Sequence, residues 1–287
     1  MNIFISLFLS RMQETLNESE KLTNGLTNKV YLLKCTNNSY IYKELSEDIS
    51  EVEQKILYAI DRPKTLYHGK RHIIQEYIQS EDIDIKKDNM GIALAFKKFH
   101  NLDVEITYTF KEDLINRMKV LGDEKLENEI LEKLSNINLQ CVKLCHNDIH
   151  KDNILKCDGE IFFIDFESCS LNEPAYDIAN FFRESEIYTK NPLSENEKYL
   201  FCEVYLDTKD KDKIIQFLKR IEEVTIYTDL FWFLWGVKKI EKNDGEQEFD
   251  YAEYTFRRFE NLYKQGIITL DAVKNNKTLN FLKKFIK

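Results

Sequence analysis

The sequence predicts an α+β fold in which a small antiparallel sheet precedes a larger, mainly helical region. Short segments rich in aromatic and β-branched residues stand within the first 80 residues, and such segments are typical of strands. Apolar residues at helical spacing dominate from about Met90 onward. The chain has only 8 glycines and 3 prolines among 287 residues, so few residues interrupt its helices.

The first strands are predicted on residues 29–35 and 39–45, which a three-residue polar linker separates. This spacing indicates a β-hairpin. A serine cap and apolar residues at helical spacing predict a helix over 50–61. Two further strands are predicted around 65–67 and 72–78, which completes a small sheet.

Helices are predicted for most of the remaining chain. The clearest one begins at Ile92, and the charged stretch 111–138 should also be helical with a solvated face. The order of elements therefore predicts a two-lobed molecule, with residues 1–79 as the N-terminal lobe and 80–287 as the C-terminal lobe.

The first nine residues are apolar but too short to span a bilayer. They also lack the basic n-region and the clear cleavage site of a signal peptide. We therefore expect no membrane insertion and treat Met12 as an alternative start, which would make residues 1–11 dispensable.

The formal net charge of −9 argues against non-specific nucleic-acid binding, because that requires clustered basic surface. It is compatible with a cationic substrate. The six cysteines form no Cys-x-x-Cys pair and no disulfide framework is evident, so the cytoplasm is the expected compartment.

One stretch of the sequence carries the pattern needed for phosphoryl transfer. This reaction needs a carboxylate that orients a hydroxyl and accepts its proton, and oxygen ligands for magnesium. His146 and Asp148 form a His-x-Asp pattern, and Asn153 follows five residues after the aspartate. The apolar segment 161–164 predicts a strand that delivers Asp165 at its end.

Each of these residues also has a simpler interpretation. A single aspartate in a loop is usually a cap or a turn former, and His-x-Asp-x4-Asn alone occurs in unrelated chains. The combination of the motif, the second aspartate and an upstream sheet favours a kinase-like enzyme.

These segments resemble the choline/ethanolamine kinase family, which has a protein-kinase-like two-lobed fold and is related to aminoglycoside phosphotransferases. The resemblance extends from about Leu22 to Gly266. It is strongest at Cys145-His146-Asn147-Asp148, Ile164-Asp165-Phe166-Glu167, Tyr176-Asp177-Ile178-Ala179-Asn180 and a late tryptophan pair.

The resemblance implies ATP and Mg²⁺ as cofactors, with Asp148 as the catalytic base and Asn153 and Asp165 as magnesium ligands. It implies that Glu53 holds Lys43 in an ion pair, and that Asp177 bonds the catalytic loop. The residues implied at the nucleotide are Asn24, Gly25, Leu26, Thr27, Asn28, Lys43, Glu53, Glu76 and Ile78.

The candidate substrate residues are aromatic side chains in the C-terminal part of the sequence. Trp232 and Trp235 are three residues apart and share one helical face, with Tyr251 further along. Aromatic faces attract a quaternary ammonium, although plain core packing also explains such a stripe. The resemblance implies that this pair and Glu184 bind the amine.

Two positions depart from the family pattern, Ser168 after Asp-Phe-Glu and His150 two residues after Asp148. They leave choline and ethanolamine both open, with a slight preference for choline. The expected reaction is the first step of phospholipid head-group synthesis. Members of the family are often dimers, so the resemblance leaves a homodimer as an open expectation. The alternatives are an aminoglycoside phosphotransferase-like kinase and an inactive pseudokinase that serves as a binding module.

Overall fold

The computed structural model describes residues 2–22, 28–140, 142–189, 191–242 and 249–286. It consists of two compact units. The first comprises Met1–Asp84, Leu102–Ile106 and Asp152–Cys169, and the second comprises Ile85–Asn101, Thr107–Lys151 and Ser170–Lys287. The predicted boundary after residue 79 lies close to Asp84, where the chain first passes from the first unit to the second. The chain then returns to the first unit twice, at Leu102–Ile106 and at Asp152–Cys169.

The helices and strands follow one another in a fixed chain order. They are α1 (Ile3–Met12), β1 (Leu16–Leu22), β2 (Lys29–Cys35), β3 (Ser39–Glu44), α2 (Glu51–Ala59), β4 (Thr65–His68), β5 (His72–Glu76), α3 (Asn89–His100), α4 (Phe110–Met118), α5 (Glu124–Leu134), β6 (Lys143–Cys145), β7 (Ile154–Cys157), β8 (Glu160–Phe163), β9 (Ser170–Asn172), α6 (Pro174–Tyr188), α7 (Glu195–Leu206), α8 (Lys211–Lys242), α9 (Tyr251–Lys264) and α10 (Leu270–Asn275).

The first unit is built on a five-stranded antiparallel sheet with the strand order β1-β2-β3-β5-β4. The predicted hairpin is confirmed as β2 and β3, in which Leu33 pairs with Tyr40. The predicted helix over 50–61 is α2, and the Ser50 side chain caps it by accepting a hydrogen bond from the backbone N–H of Glu53. The α+β prediction is therefore confirmed.

Helix α1 covers one face of this sheet. Its side chains Ile5, Phe8 and Leu9 are buried in a cluster with Leu33 and Ile74 of the strands. Removal of residues 1–11 would expose that apolar face to water, which is unfavourable. The alternative start at Met12 stays a prediction.

The second unit is mainly helical and is organised around α8, a helix of 32 residues that packs against α6, α7 and α9. The charged stretch 111–138 forms two helices, α4 and α5. They are separated at Gly122, whose φ of 59° lies in the left-handed region that glycine adopts readily. Within the described segments, no helix is both long and apolar enough to cross a membrane.

Candidate active site

The loop that carries Asp148 follows β6 in the second unit. The backbone N–H groups of His146 and Asn147 donate to the two carboxylate oxygens of Asp177, at 2.7 and 2.8 Å. A ring nitrogen of His100 lies 3.0 Å from one of these oxygens. Because all four residues are buried, this network fixes the backbone of the loop immediately before Asp148.

The side chain of Asp148 is only partly buried, with 18% of its surface exposed. Nε2 of His150 lies 3.9 Å from Oδ1 of Asp148. His150 is one of the two departures from the family pattern, and the structure places it beside the carboxylate that would act as base.

A second group of polar residues lies in the first unit. Lys43 on β3 is almost completely buried, and its Nζ lies 3.1 Å from Oδ1 of Asp165. Burial by itself lowers the pKa of Lys43, but the nearby carboxylate of Asp165 raises it above its ordinary value. The two side chains therefore form an ion pair of charged groups.

Glu53 does not form the ion pair with Lys43 that the family resemblance implies. Of the described carboxylates, Lys43 contacts Asp165 instead. Glu53 is buried, and burial raises its pKa to about 7, although Lys43 acts in the opposite direction. The prediction of a Lys43–Glu53 pair is corrected, because the partly exposed carboxylate of Asp165 lies within ion-pair distance of the buried Lys43.

The two residues expected to bind magnesium flank the same end of the β7–β8 hairpin. Ile154 pairs with Phe163, and the backbone N–H of Ile164 donates to the carbonyl oxygen of Asn153 at 3.1 Å. Asn153 therefore precedes the paired end and Asp165 follows it. Amide and carboxylate oxygens are hard ligands that suit magnesium, so this donor set fits the metal.

The other residues expected at the nucleotide are only partly described. Asn24, Gly25, Leu26 and Thr27 lie outside the described residues. Asn28 donates to Glu167 at 3.0 Å and accepts from the backbone N–H of Ser46 at 3.0 Å. Glu76 accepts from the backbone N–H of Lys64 at the end of β5, and Ile78 is buried.

The late tryptophans lie in an aromatic cluster of the second unit. The rings of Trp232 and Trp235 are T-shaped with centroids 5.5 Å apart. Trp235 also contacts Tyr251, Tyr254 and Phe249, with centroids 5.3, 5.8 and 6.4 Å away. Sequence reasoning missed Tyr254 and Phe249, although Tyr254 follows Tyr251 by three residues and so shares its helical face.

Glu184 is already paired with a cation. Arg258 of α9 donates to its carboxylate, and the hydroxyl of Tyr254 donates to the same oxygen at 3.1 Å. Arg258 also donates to Asp229 at 3.2 Å. Sequence reasoning missed Arg258 and Asp229, because an arginine in a helix is usually at the surface.

Several buried polar groups near this cluster have no hydrogen-bond partner in the described parts of the chain. They include the indole N–H of Trp232, Nε of Arg258 and the side-chain amide of Asn180, one turn before Glu184 on α6. Buried polar groups in folded proteins are nearly always bonded to protein, water or ligand.

Sequence comparison finds a relation over most of the chain. The family model for "Choline/ethanolamine kinase" matches residues 19–263. The protein named "Probable choline kinase 1" of Arabidopsis thaliana is 30% identical over 249 residues, which are 73% of this chain and 71% of that protein.

Structural comparison finds several similar folds. The choline kinase LicA of Streptococcus pneumoniae has a TM-score of 0.69 at 25% identity, over 91% of this chain and 97% of its own. A LicA structure in complex with AMP has a TM-score of 0.64 at 25% identity, over 91% of this chain and 96% of its own. At 24% identity, the ethanolamine kinase of Plasmodium vivax shares the fold with a TM-score of 0.71, over 85% of this chain and 81% of its own. An ADP-bound aminoglycoside phosphotransferase shares the fold at 16% identity and a TM-score of 0.59, over 93% of this chain and 98% of its own.

Proposed function

Since this chain belongs to the choline/ethanolamine kinase family, we propose that it transfers the γ-phosphoryl group of ATP to the hydroxyl of choline or ethanolamine. The observation that carries the proposal is the aromatic cluster around Trp235, which lies in the same unit as the Asp148 loop. A base and a site for an organic cation are the two features that this substrate class requires.

In the proposed reaction, Asp148 accepts the proton of the substrate hydroxyl while the hydroxyl oxygen of the substrate bonds to the γ-phosphorus of ATP. The bond between that phosphorus and the bridging oxygen breaks, and ADP leaves. Asn153 and Asp165 would hold magnesium, which neutralises phosphate charge when it is bound. Lys43 adds a fixed positive charge for the phosphates.

The amine group would bind at the aromatic cluster. Cation–π attraction is worth roughly 0.5–2 kcal/mol per aromatic face and suits a trimethylammonium, whereas a primary ammonium requires hydrogen-bond acceptors. Because Arg258 already compensates the charge of Glu184, the aromatic surface contributes more to recognition. This favours choline over ethanolamine.

The biological setting follows from the reaction. Phosphocholine or phosphoethanolamine would enter phospholipid head-group synthesis, and we propose the cytoplasm as the compartment. A homodimer stays an expectation from the family resemblance alone.

The test is phosphate transfer from ATP by the purified protein, with choline, ethanolamine and kanamycin compared at equal concentration. The control reaction omits magnesium. A kcat/KM at least about tenfold higher for choline, a difference of about 1.4 kcal/mol, is the expected result. A preference for ethanolamine would keep the mechanism and overturn the choice of amine.

The same assay separates the alternatives. Preference for kanamycin would assign the chain to aminoglycoside phosphorylation, a function found among its distant structural neighbours. Folded protein that transfers phosphate to none of the three compounds and binds no nucleotide with magnesium would overturn the proposal and favour a pseudokinase.

A further inference from the structure

Asn147 has an unusual backbone conformation directly before Asp148. Its φ of 65° lies in the left-handed region, which non-glycine residues occupy infrequently and asparagine tolerates better than most. The backbone of Asn147 sets the direction in which Asp148 leaves the loop. Whatever maintains this conformation therefore also orients the Asp148 carboxylate.

The side chain of Asn147 is bonded at both ends to strand β9. Its Oδ1 accepts from Nδ2 of Asn172 at 2.9 Å, and its Nδ2 donates to Oγ of Ser170 at 2.9 Å. Ser170 and Asn172 are two residues apart on one strand, so both side chains project to the same side. All three residues are 2% exposed or less.

Asn172 is itself held in one orientation. Its Oδ1 accepts from the backbone N–H of Glu173 at 2.8 Å, so its amide nitrogen is the group that faces Asn147. Strand β9 pairs with β6, and the register places Asn172 opposite Lys143 and Ser170 opposite Cys145. The strand that holds Asn147 is thus paired with the strand that leads into the loop.

We propose that Asn172 is a positioning residue for phosphoryl transfer, which acts through Asn147 to keep the Asp148 carboxylate aimed at the substrate hydroxyl. Asp177 fixes the backbone amides of the loop, whereas Asn172 fixes the side chain that stabilises the left-handed turn. The catalytic part of the proposal rests on the proposed function, since it takes Asp148 as the base.

The test is a double-mutant cycle with Asn172→Ala and Asn147→Gly. Glycine adopts the left-handed conformation without strain but has no side chain for Asn172 to hold. We expect each single change to lower kcat by about 10- to 100-fold, the size of effect that misplacement of a reacting group causes, with KM for ATP little changed. In the Asn147→Gly background, Asn172→Ala should have almost no further effect on kcat.

Asn276→Ala is the matched control. Asn276 is a buried asparagine of the same unit, and its amide donates to the carbonyl of Leu121. We expect this change to lower stability about as much as Asn172→Ala does but to leave kcat near the value of the unmodified protein. The proposal would be overturned if Asn172→Ala and Asn147→Gly lowered kcat independently, so that their fold-changes multiplied in the double variant. It would also be overturned if Asn172→Ala left kcat unchanged.

Amide hydrogen exchange of residues 146–148 in the protein without ligands gives a readout that does not depend on the substrate. Asn172→Ala should speed exchange in this loop, and Asn276→Ala should not. If the unmodified protein transfers no phosphate, the proposed function has failed, and exchange alone decides whether Asn172 positions the loop. If Asn172→Ala does not fold, Ser170→Ala replaces it, since it removes the other bond to the same side chain.

Discussion

Arg258 and Glu184 form an ion pair in the interior of the helical unit, where 0% and 8% of their side-chain surfaces are exposed. Arg258 joins two carboxylates, because it also contacts the fully buried Asp229. Arg183 contacts the same carboxylate oxygen of Asp229, at 2.9 Å. Arg183 also contacts Glu186 at 3.3 Å, so the network extends toward the surface. The aromatic cluster therefore lies beside a Glu184 whose charge Arg258 already compensates.

Replacement of Arg258 should therefore be strongly destabilising. Arg258→Gln leaves Glu184 without its cation in a buried setting, and breaking such a pair typically costs about 3–5 kcal/mol. The free energy of unfolding, measured by urea denaturation, should fall by that amount. Arg257→Gln is the matched control, because Arg257 is half exposed and pairs with Glu253 one turn away; its loss should cost about 1 kcal/mol or less. Equal losses in the two variants would contradict the buried network.

Glu53 should make stability depend on pH. Its pKa is about 7 in the folded chain and near 4.3 in an unfolded one, so the folded state binds this proton more tightly. The stabilisation is fully present below about pH 4 and is lost as pH rises through about 7, by about 4 kcal/mol at most. Glu53→Gln should be more stable than the unmodified protein at pH 8, and the difference should shrink toward pH 4.

Thermal melts at several pH values, without nucleotide, test this expectation. Glu51→Gln on the same helix is the control, because Glu51 is exposed and pairs with Lys55. Glu51→Gln should leave the pH profile nearly parallel to that of the unmodified protein. A parallel profile for Glu53→Gln as well would remove the buried-acid interpretation.

The strands that the sequence predicted have alternating or continuous apolar residues, as in the β2–β3 hairpin. Strand β1 has the sequence LNESEKL, and its five central residues are exposed. It forms the edge of the sheet, where no apolar pattern is needed, so hydrophobic periodicity could not reveal it. Helix α1 was missed for another reason, since Met12 was treated as an alternative start and residues 1–11 as dispensable.

The sequence predicted those residues of the candidate site that belong to a local motif. It predicted less well the residues whose partners are determined by tertiary contacts. Asp177 was expected to bond the catalytic loop, and it does so through two backbone N–H groups. The partners of Lys43 and Glu184 depend on which charged groups the fold brings within reach. Spacing along the chain cannot give that information, because Arg258 lies 74 residues from Glu184.

Asp148→Asn tests the assignment of the base. The amide retains the shape of the side chain but cannot accept the hydroxyl proton, so kcat should fall by roughly 10²–10⁴. Nucleotide binding, measured by calorimetry, should stay close to that of the unmodified protein. Asp152→Asn, four residues further along in an exposed position, is the control and should retain most activity. Turnover that survives in Asp148→Asn would remove the base assignment.

Trp235→Ala tests whether the aromatic cluster recognises the amine or only packs the unit. Trp235 contacts three other rings besides Trp232 and is not fully buried, so it can offer a face to a ligand. Loss of one cation–π contact should raise KM for choline by roughly 2- to 30-fold. The effect on ethanolamine should be smaller, since a primary ammonium relies more on hydrogen bonds.

The control for this change is Phe256→Ala, which removes a ring that stacks on Phe285 with centroids 4.6 Å apart. It should lower the melting temperature and leave KM for both amines nearly unchanged. If Trp235→Ala raises KM equally for choline and ethanolamine, the tryptophan contributes packing rather than selectivity. The preference between the two amines would then have to arise from the polar groups near the cluster, with the Glu184–Arg258 pair the first to be varied.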